Sequence, residues 1–344
     1  MKVKWGIIGA GGIADKRTIP GLLQAENAEL AAVMDVDPAA AARLKDKYSV
    51  PAYEQVDDLL RHKGIDAIYI ASPVFCHAEQ ALQVARAGKH MLIEKPVALT
   101  VAEGRSIAEA YQKAGLLAGV AFMMRFHVFH QKMRQLIAEG RIGQVLSCRA
   151  QTGFWYPDMP GNWRQRKATA GGGSLMDVGV HCIDLIQYIT GSKARRVMAF
   201  TATKVFSYDV DDLSSVLFET ENGAFCQVET SFCMPGSASK DRLEIYGTKG
   251  SLLAEQTMSQ LEKGTLEVAL SQKNADSVSQ QMETVAFQKI ELPFGNMYTK
   301  EIESFSRSII GQTPLQQPVE DGIQVQQVIE AAYESSAEGR CILL

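Results

Sequence analysis

The chain has 344 residues, 46% hydrophobic and 22% charged, the balance of a globular protein long enough for two domains with a large core. A net charge of −4 without a long basic run argues against nucleic acid or an anionic membrane surface as a partner. No apolar stretch approaches the ~20 residues that cross a bilayer, and no basic segment with a cleavage site precedes the first strand. Six scattered cysteines form no C-x-x-C pair and suit reduced thiols, so the expected location is cytoplasmic.

Val3–Ile8 reads as a buried strand, and Gly9-Ala10-Gly11-Gly12-Ile13-Ala14 follows it as G-x-G-x-x-A at the start of a helix, Ile13–Leu23. Gly9 permits a tight turn, Gly11 lets backbone approach a pyrophosphate, Ala14 allows close helix–sheet packing, and the helix N-terminus favours phosphate charge. A structural glycine turn is the alternative, but the next strand, Glu29–Met34, closes on Asp35, where a carboxylate can hold both ribose hydroxyls. A carboxylate there repels a 2′-phosphate, Asp37 adds to the repulsion, and no Lys or Arg follows immediately. The expected cofactor is therefore NAD, with NADP the less favoured choice.

The alternation continues through helices Ala39–Tyr48 and Val56–Arg61, strand Ala67–Ala71, helix Ala78–Ala87 and strand His90–Ile93. Helix Val101–Ala114 and strand Leu117–Ala121 complete it. Regular β–α alternation implies a parallel sheet with helices on both faces. Glu94-Lys95-Pro96 follows His90–Ile93, and ligands of open α/β sheets bind beyond the carboxyl ends of strands. Lys95 is thus either an ammonium directed at a ligand or a surface lysine. Phe129–Glu139 reads as a further helix. Near its start His127 and His130, with no carboxylate or cysteine nearby, make a poor metal site, so no metal is expected.

Strand-like runs then follow one another: Val145–Thr152, Val197–Val205, Ser214–Phe218, Ala224–Phe232, Leu243–Tyr246 and Val285–Leu292. Helices Tyr298–Ile310 and Gly322–Ala337 end the chain, and Glu255–Gln281 reads as hairpins or a surface excursion. The fold class is α/β: a parallel sheet over residues 1–122, then an α+β domain with a mostly antiparallel sheet over 123–344. The last helices are expected to pack back on the first domain.

One helix, Ser174–Thr190, interrupts those strands. Gly171, Gly172 and Gly173 lead into it, with Ser174 as the expected N-cap and the glycines as a loop that lets a ligand come close. Asp177, His181, Asp184 and Tyr188 recur at spacings of four, three and four, which places them on one face. Leu175, Val178, Cys182, Leu185 and Ile189 form an apolar stripe of the same period. An acid–base pair held this way suits the proton of an alcohol; a solvent-facing ion pair is the plainer alternative. Just upstream, Tyr156, Trp163 and Arg164 lie in a Pro- and Gly-rich loop whose rings and guanidinium suit a sugar, unless Trp163 anchors the loop in the core.

Together the glycine turn, the AGKHMLIEKP segment and GGGSLMDVGVHCID closely resemble the Gfo/Idh/MocA (glucose–fructose oxidoreductase/inositol dehydrogenase) family, in order over almost the whole chain. The resemblance implies that residues 1–122 form a Rossmann domain and that the sheet over 123–344 is open and serves substrate binding and oligomerisation. With it comes NAD(P)-linked oxidation or reduction of a sugar, polyol or related hydroxy compound by a homodimer or homotetramer formed through the second sheet. It implies Lys95, Asp177 and His181 as the catalytic group and Arg125 as a basic residue near the substrate. It also implies that Ser72, Pro73, His77, Glu94 and Lys95 join Gly9, Gly11, Gly12, Ile13 and Asp35 around the cofactor. His77 is equally readable as a cap or packing residue. Val74 stands where many members carry Asn, so that polar contact is not carried over. NWR before AGGG is similar to the branch acting on sugars and diols. An NAD-dependent glycosidase of the same family and a non-enzymatic dinucleotide sensor are the alternatives; the presence of Lys95, Asp177 and His181 argues for an enzyme.

Overall fold

The alternation of apolar strand and amphipathic helix closes into a six-stranded parallel sheet in the computed structural model, which describes residues 2–236, 238–271 and 285–344. Its strands are β1 (Val3–Ile8), β2 (Ala28–Met34), β3 (Ala52–Tyr53), β4 (Ala67–Ile70), β5 (His90–Ile93) and β6 (Ala118–Val120). They lie in the order β3-β2-β1-β4-β5-β6, every pair parallel. The strand β3, two residues long, is too short to show a period and has no counterpart among the sequence expectations. The order reverses between β1 and β4, the switch point beside which such sheets bind ligands. Gly9 follows β1 there, and Ser72 stands two residues beyond the end of β4.

Local chemistry sets the flanking helices. Thr100 and Glu103 form a reciprocal capping box on helix Val101–Ala114, and Gly115, at φ 65°, ends it in the left-handed conformation. Ile13–Leu23 is not one regular helix: wide π-type turns cover Ala10–Thr18, and an α-helix begins at Ile19, with Pro20 in its first turn, where a missing N–H costs nothing. Helix Met297–Ile309 belongs to the same packing. Trp5 is fully buried, donates through Nε1 to Ser306 Oγ at 3.2 Å, and lies 5.6 Å from the Phe305 ring.

The chain divides into two compact units. One holds the chain up to Met123 with Ala168–Gly171 and Asn296–Gln326; the other holds Met124–Lys167, Gly172–Gly295 and Gln327–Leu344. The second unit is built on a nine-stranded sheet of β7 (Val145–Gly153), β8 (Ala194–Ala202), β9 (Leu213–Thr220), β10 (Phe225–Ser231), β11 (Arg242–Gly247), β12 (Gly250–Glu255), β13 (Thr265–Leu270), β14 (Gln288–Lys289) and β15 (Ile342–Leu343). Their order is β14-β13-β12-β11-β7-β10-β9-β8-β15, antiparallel except for β7 beside β10.

Alternation assigns the faces. Cys148, Ala150, Val216, Phe218, Cys226 and Val228 are buried, and helix Val180–Thr190 packs against β7 and β10. Phe200, at 73% exposure, and Phe225, at 65%, stand with Leu146, Met198 and Leu217 among the outward positions. Two sequence expectations change here. Val285–Leu292 shrinks to the two residues of β14, because among the described residues only Gln288 and Lys289 of that run pair in the sheet. Within Glu255–Gln281, β13 forms an antiparallel hairpin with β12; residues 272–281 of that expectation lie outside the described residues. Among the described residues no helix is long and apolar enough to cross a membrane.

Candidate active site

The glycine turn is shaped to admit a dinucleotide. Gly9 has φ 74°, and a Cβ there would lie 2.6 Å from the Ser72 backbone nitrogen, so only glycine lets the ends of β1 and β4 approach. A Cβ on Gly11 would meet Asp35 Oδ2 at 2.7 Å, whereas one on Gly12 would point into open space. Asp35 orders this turn from the end of β2: Oδ2 accepts from the Gly11 N–H at 2.7 Å and Oδ1 from the Asp37 N–H at 3.0 Å. The glycine backbone, the carboxylate and the open side at Gly12 fit a pyrophosphate and its ribose. Ile13 is half-buried beside them, and Ser72 donates its hydroxyl to Gln80 Oε1 at 2.5 Å.

Lys95 stands in a turn fixed on both sides. Tyr69, buried in β4, donates its hydroxyl to Glu94 Oε1 at 2.7 Å. The His77 ring faces Pro96 O through Nδ1 at 2.9 Å and Ser72 O through Nε2 at 3.0 Å. Burial lowers the His77 imidazole to about 4, against its bonds to the backbone of Ser72, Pro96 and Val97. It is neutral at pH 7, so one ring nitrogen donates to one of these two carbonyls, and the ring is packed between the end of β4 and the Lys95–Pro96 turn. Pro73 precedes a short turn, Val74–Cys76, in which Val74 is buried.

The helix carrying Asp177 and His181 is held by a residue that the sequence did not single out. Ser174 lies in helical conformation and does not cap: its hydroxyl donates to Asp211 Oδ2 at 2.9 Å. Asp211 does the capping from the loop before β9. It accepts the Gly173 N–H at 2.7 Å and the Leu175 N–H at 2.9 Å, and Tyr333 adds its hydroxyl at 2.6 Å. Burial pushes the Asp211 carboxyl up, while these bonds and that from Ser174 favour its charged form. Burial, then the Asp211 charge, raises the Tyr333 hydroxyl well above its ordinary range, so it stays a donor.

The glycines consequently admit protein rather than ligand. A Cβ on Gly172 would lie 1.9 Å from Tyr333 Oη, and one on Gly173 would lie 1.8 Å from the Asp211 carbonyl oxygen. Wide π-type turns cover Leu175–Gly179 before the regular helix Val180–Thr190. Asp177 is half-buried and His181 buried.

The loop before the triple glycine groups several expected residues. The Tyr156 hydroxyl accepts from Asn162 Nδ2 at 2.8 Å. Its pKa is raised by burial first and by the Asp177 charge, and is opposed by Arg164 and Asn162, which places Tyr156 within electrostatic reach of both charged groups. The Arg164 guanidinium lies 4.4 Å from the centre of the half-buried Trp163 ring. Trp163 is half-buried rather than in the core, and Gln165 is the buried residue of the loop, accepting from the Met159 N–H at 2.7 Å and donating to Pro157 O at 2.6 Å.

Arg125 is placed differently from the expectation. It is buried and gives Asp184 three hydrogen bonds of 2.5–3.1 Å, with the Tyr188 ring 4.9 Å away. That engagement explains the spacing of Asp184 and Tyr188 as packing. His127 caps the next helix by accepting the Phe129 N–H at 3.1 Å, and His130 is buried between Met124 O and Thr257 Oγ1.

A doubly wound parallel sheet with this turn at its switch point defines a dinucleotide-binding protein. Residues 3–122 match the oxidoreductase family with an NAD-binding Rossmann fold, and residues 130–253 match the GFO/IDH/MocA C-terminal domain. The chain belongs to the Gfo/Idh/MocA family of oxidoreductases. It is 28% identical over 341 residues to 1,5-anhydro-D-fructose reductase of Ensifer adhaerens, covering 98% of this chain and 97% of the relative. It is 30% identical over 342 residues to D-xylose 1-dehydrogenase (NADP(+)) 2 of Haloferax volcanii, covering 99% of each. Among solved structures, levoglucosan dehydrogenase in complex with NADH and L-sorbose superposes with a TM-score of 0.89 at 25% identity, covering 100% of this chain and 99% of that one.

If the glycines serve packing, Gly172→Ala forces the Tyr333 ring aside at about 1–3 kcal/mol. The melting temperature is then expected to fall by at least about 2 °C, measured by circular dichroism. An unchanged melting temperature with a raised KM would return the glycines to ligand access.

Proposed function

We propose that this oxidoreductase acts on a CH–OH carbon of a sugar, polyol or related hydroxy compound, with residues 1–122 serving NAD(H) and 123–344 the substrate. The observation that carries this reading is the turn around Lys95, whose two neighbours are each tied down by buried rings. A bound nicotinamide supplies the hydride acceptor or donor. Lys95 directs a positive donor at the substrate oxygen, where charge develops as the C–H bond breaks or forms. His181 takes the hydroxyl proton in oxidation and returns it in reduction. Asp177 orients the imidazole or binds a second hydroxyl. Tyr156, Trp163 and Arg164 receive the sugar's apolar face and hydroxyl edge, while Arg125 acts by holding Asp184. The sugar names of the reductase, the xylose dehydrogenase and the sorbose complex support the substrate class. Six unpaired cysteines suit work in a reducing cytoplasm.

Steady-state kinetics on a panel of aldoses and polyols tests the roles. His181→Asn is expected to lower kcat by about 10²–10⁴, Lys95→Met to lower it at least as far, and Arg164→Ala to raise KM for the sugar with dinucleotide affinity unchanged. Near-normal kcat in His181→Asn would remove it from proton transfer. Release of an aglycone without net NADH would assign glycosidase chemistry instead.

The cofactor preference follows from Asp35, whose carboxylate is fixed beside the glycine turn by two backbone N–H groups. Fluorescence titration is expected to show tighter binding of NADH than of NADPH; the reverse order would overturn the preference. For the assembly, a second copy covers the outward face bearing Phe200, Leu217 and Phe225. Analytical ultracentrifugation is expected to show a dimer or tetramer that Phe200→Glu with Leu217→Lys dissociates. A wild-type monomer would refute it.

A further inference from the structure

Two cations stand close to the glycine turn, and one buried carboxylate holds both. Asp15 lies four residues beyond Gly11 and is 8% exposed. Its Oδ2 accepts from Arg43 Nη1 at 2.6 Å, and its Oδ1 accepts from Lys47 Nζ and from the Tyr48 hydroxyl, each at 2.7 Å. The two cations reach it from helix Pro38–Tyr48, whose first turn packs on the nucleotide motif: a Cβ at Gly11 would lie 3.3 Å from Ala40 Cβ. Arg43 is three residues beyond Ala40 on the same face and also senses the Asp35 charge. It therefore stands near the carboxylate read as the ribose partner. Its side chain is 51% exposed, so the guanidinium is held by Asp15 rather than by burial.

A 2′-phosphate needs a planar, multiply donating cation, and arginine is the side chain suited to it. We propose that Asp15 is a specificity-determining residue for the dinucleotide: by engaging Arg43 it withholds the guanidinium that a 2′-phosphate requires, and so favours a dinucleotide lacking that phosphate. Asp35 and Asp37 oppose the phosphate by repulsion; Asp15 acts separately, on the supply of positive charge. Although burial pushes the Asp15 carboxyl up, the bonds from Lys47, Tyr48 and Arg43 bring it down to about 2, so the latch is charged throughout the working pH range. Arg43 is the group that matters, since Lys47 lies a further turn from Ala40.

The inference rests on the dinucleotide reading proposed above, and the test separates the two. NADH and NADPH are titrated by fluorescence into wild type, Asp15→Asn, Arg43→Gln and the double variant, each checked for wild-type circular dichroism. Asp15→Asn is expected to raise the ratio of NADPH to NADH affinity about two- to fivefold, the worth of one freed ion pair near the surface. Arg43→Gln alone is expected to leave that ratio unchanged, and the double variant to lose the gain. An unchanged ratio in Asp15→Asn overturns the inference while leaving the cofactor reading intact. A gain that persists in the double variant overturns it too, because it reports only the removal of a negative charge. Equal loss of both cofactors in Asp15→Asn makes Asp15 a structural support of the turn and likewise overturns it. Absence of any dinucleotide binding by wild type defeats both readings.

Discussion

A buried carboxylate, Asp211, holds in place the helix that bears Asp177 and His181. Four donors converge on it: two backbone N–H groups at the helix start, the Ser174 hydroxyl and the Tyr333 hydroxyl. The first turn of any helix leaves N–H groups unpaired, and burying them unpaired is costly. Here the cap is borrowed from a distant loop, so the orientation of the helix bearing Asp177 and His181 is tied to β9 and to the last helix. A local Ser cap would satisfy the same donors but would not fix the helix to the rest of its unit. The packing of that unit and the placement of Asp177 and His181 thus share one support.

The Lys95 turn solves the same problem in the other unit by different means. Lysine has a flexible stem, and directing it requires a rigid base. Tyr69 supplies a neutral donor to the residue before it, and the His77 ring sits between the carbonyls of Ser72 and Pro96, donating to one of them. Two carbonyls favour an imidazolium, but full burial prevails and keeps the ring neutral. The ring therefore contributes position without adding a second positive charge beside Lys95.

Much of this was legible in the amino-acid order, and what escaped has a common cause. Strands such as His90–Ile93 and helices such as Val101–Ala114 matched residue for residue, because burial on both faces and a capping box are local signals. The chemistry-bearing motifs were visible as short strings. Partnerships across long separations were not: Asp211 with Gly173, and Tyr333 with Asp211, are 38 and 122 residues apart. The Asp211-Asp212 doublet without a neighbouring cation was an available clue. Asp212, also buried, collects the N–H groups of Lys204, Val205 and Phe206. The engagement of Arg125 by Asp184 was hidden for the same reason: the two are 59 residues apart, with Asp184 on the very face read as functional. Ser174 misled because a plausible cap in sequence was displaced by a stronger acceptor in space.

The triple glycine also limits how such a site can diversify. Its second and third members are hemmed in by Tyr333 and by the Asp211 backbone, so side chains there are excluded by packing whatever the substrate. In the segment Phe154–Arg164 the backbone is tied to β10 and the loop before β9, but Trp155 and Arg164 are exposed and no backbone atom stands where their side chains project. On the proposed reading, a library that randomises Trp155, Tyr156, Trp163 and Arg164 while keeping Gln165 varies the loop assigned to the sugar and leaves the helix bearing Asp177 and His181 unaltered. Altered selectivity is then accessible by exchanging a handful of loop side chains, with the glycines and the aspartate beneath them left as they are.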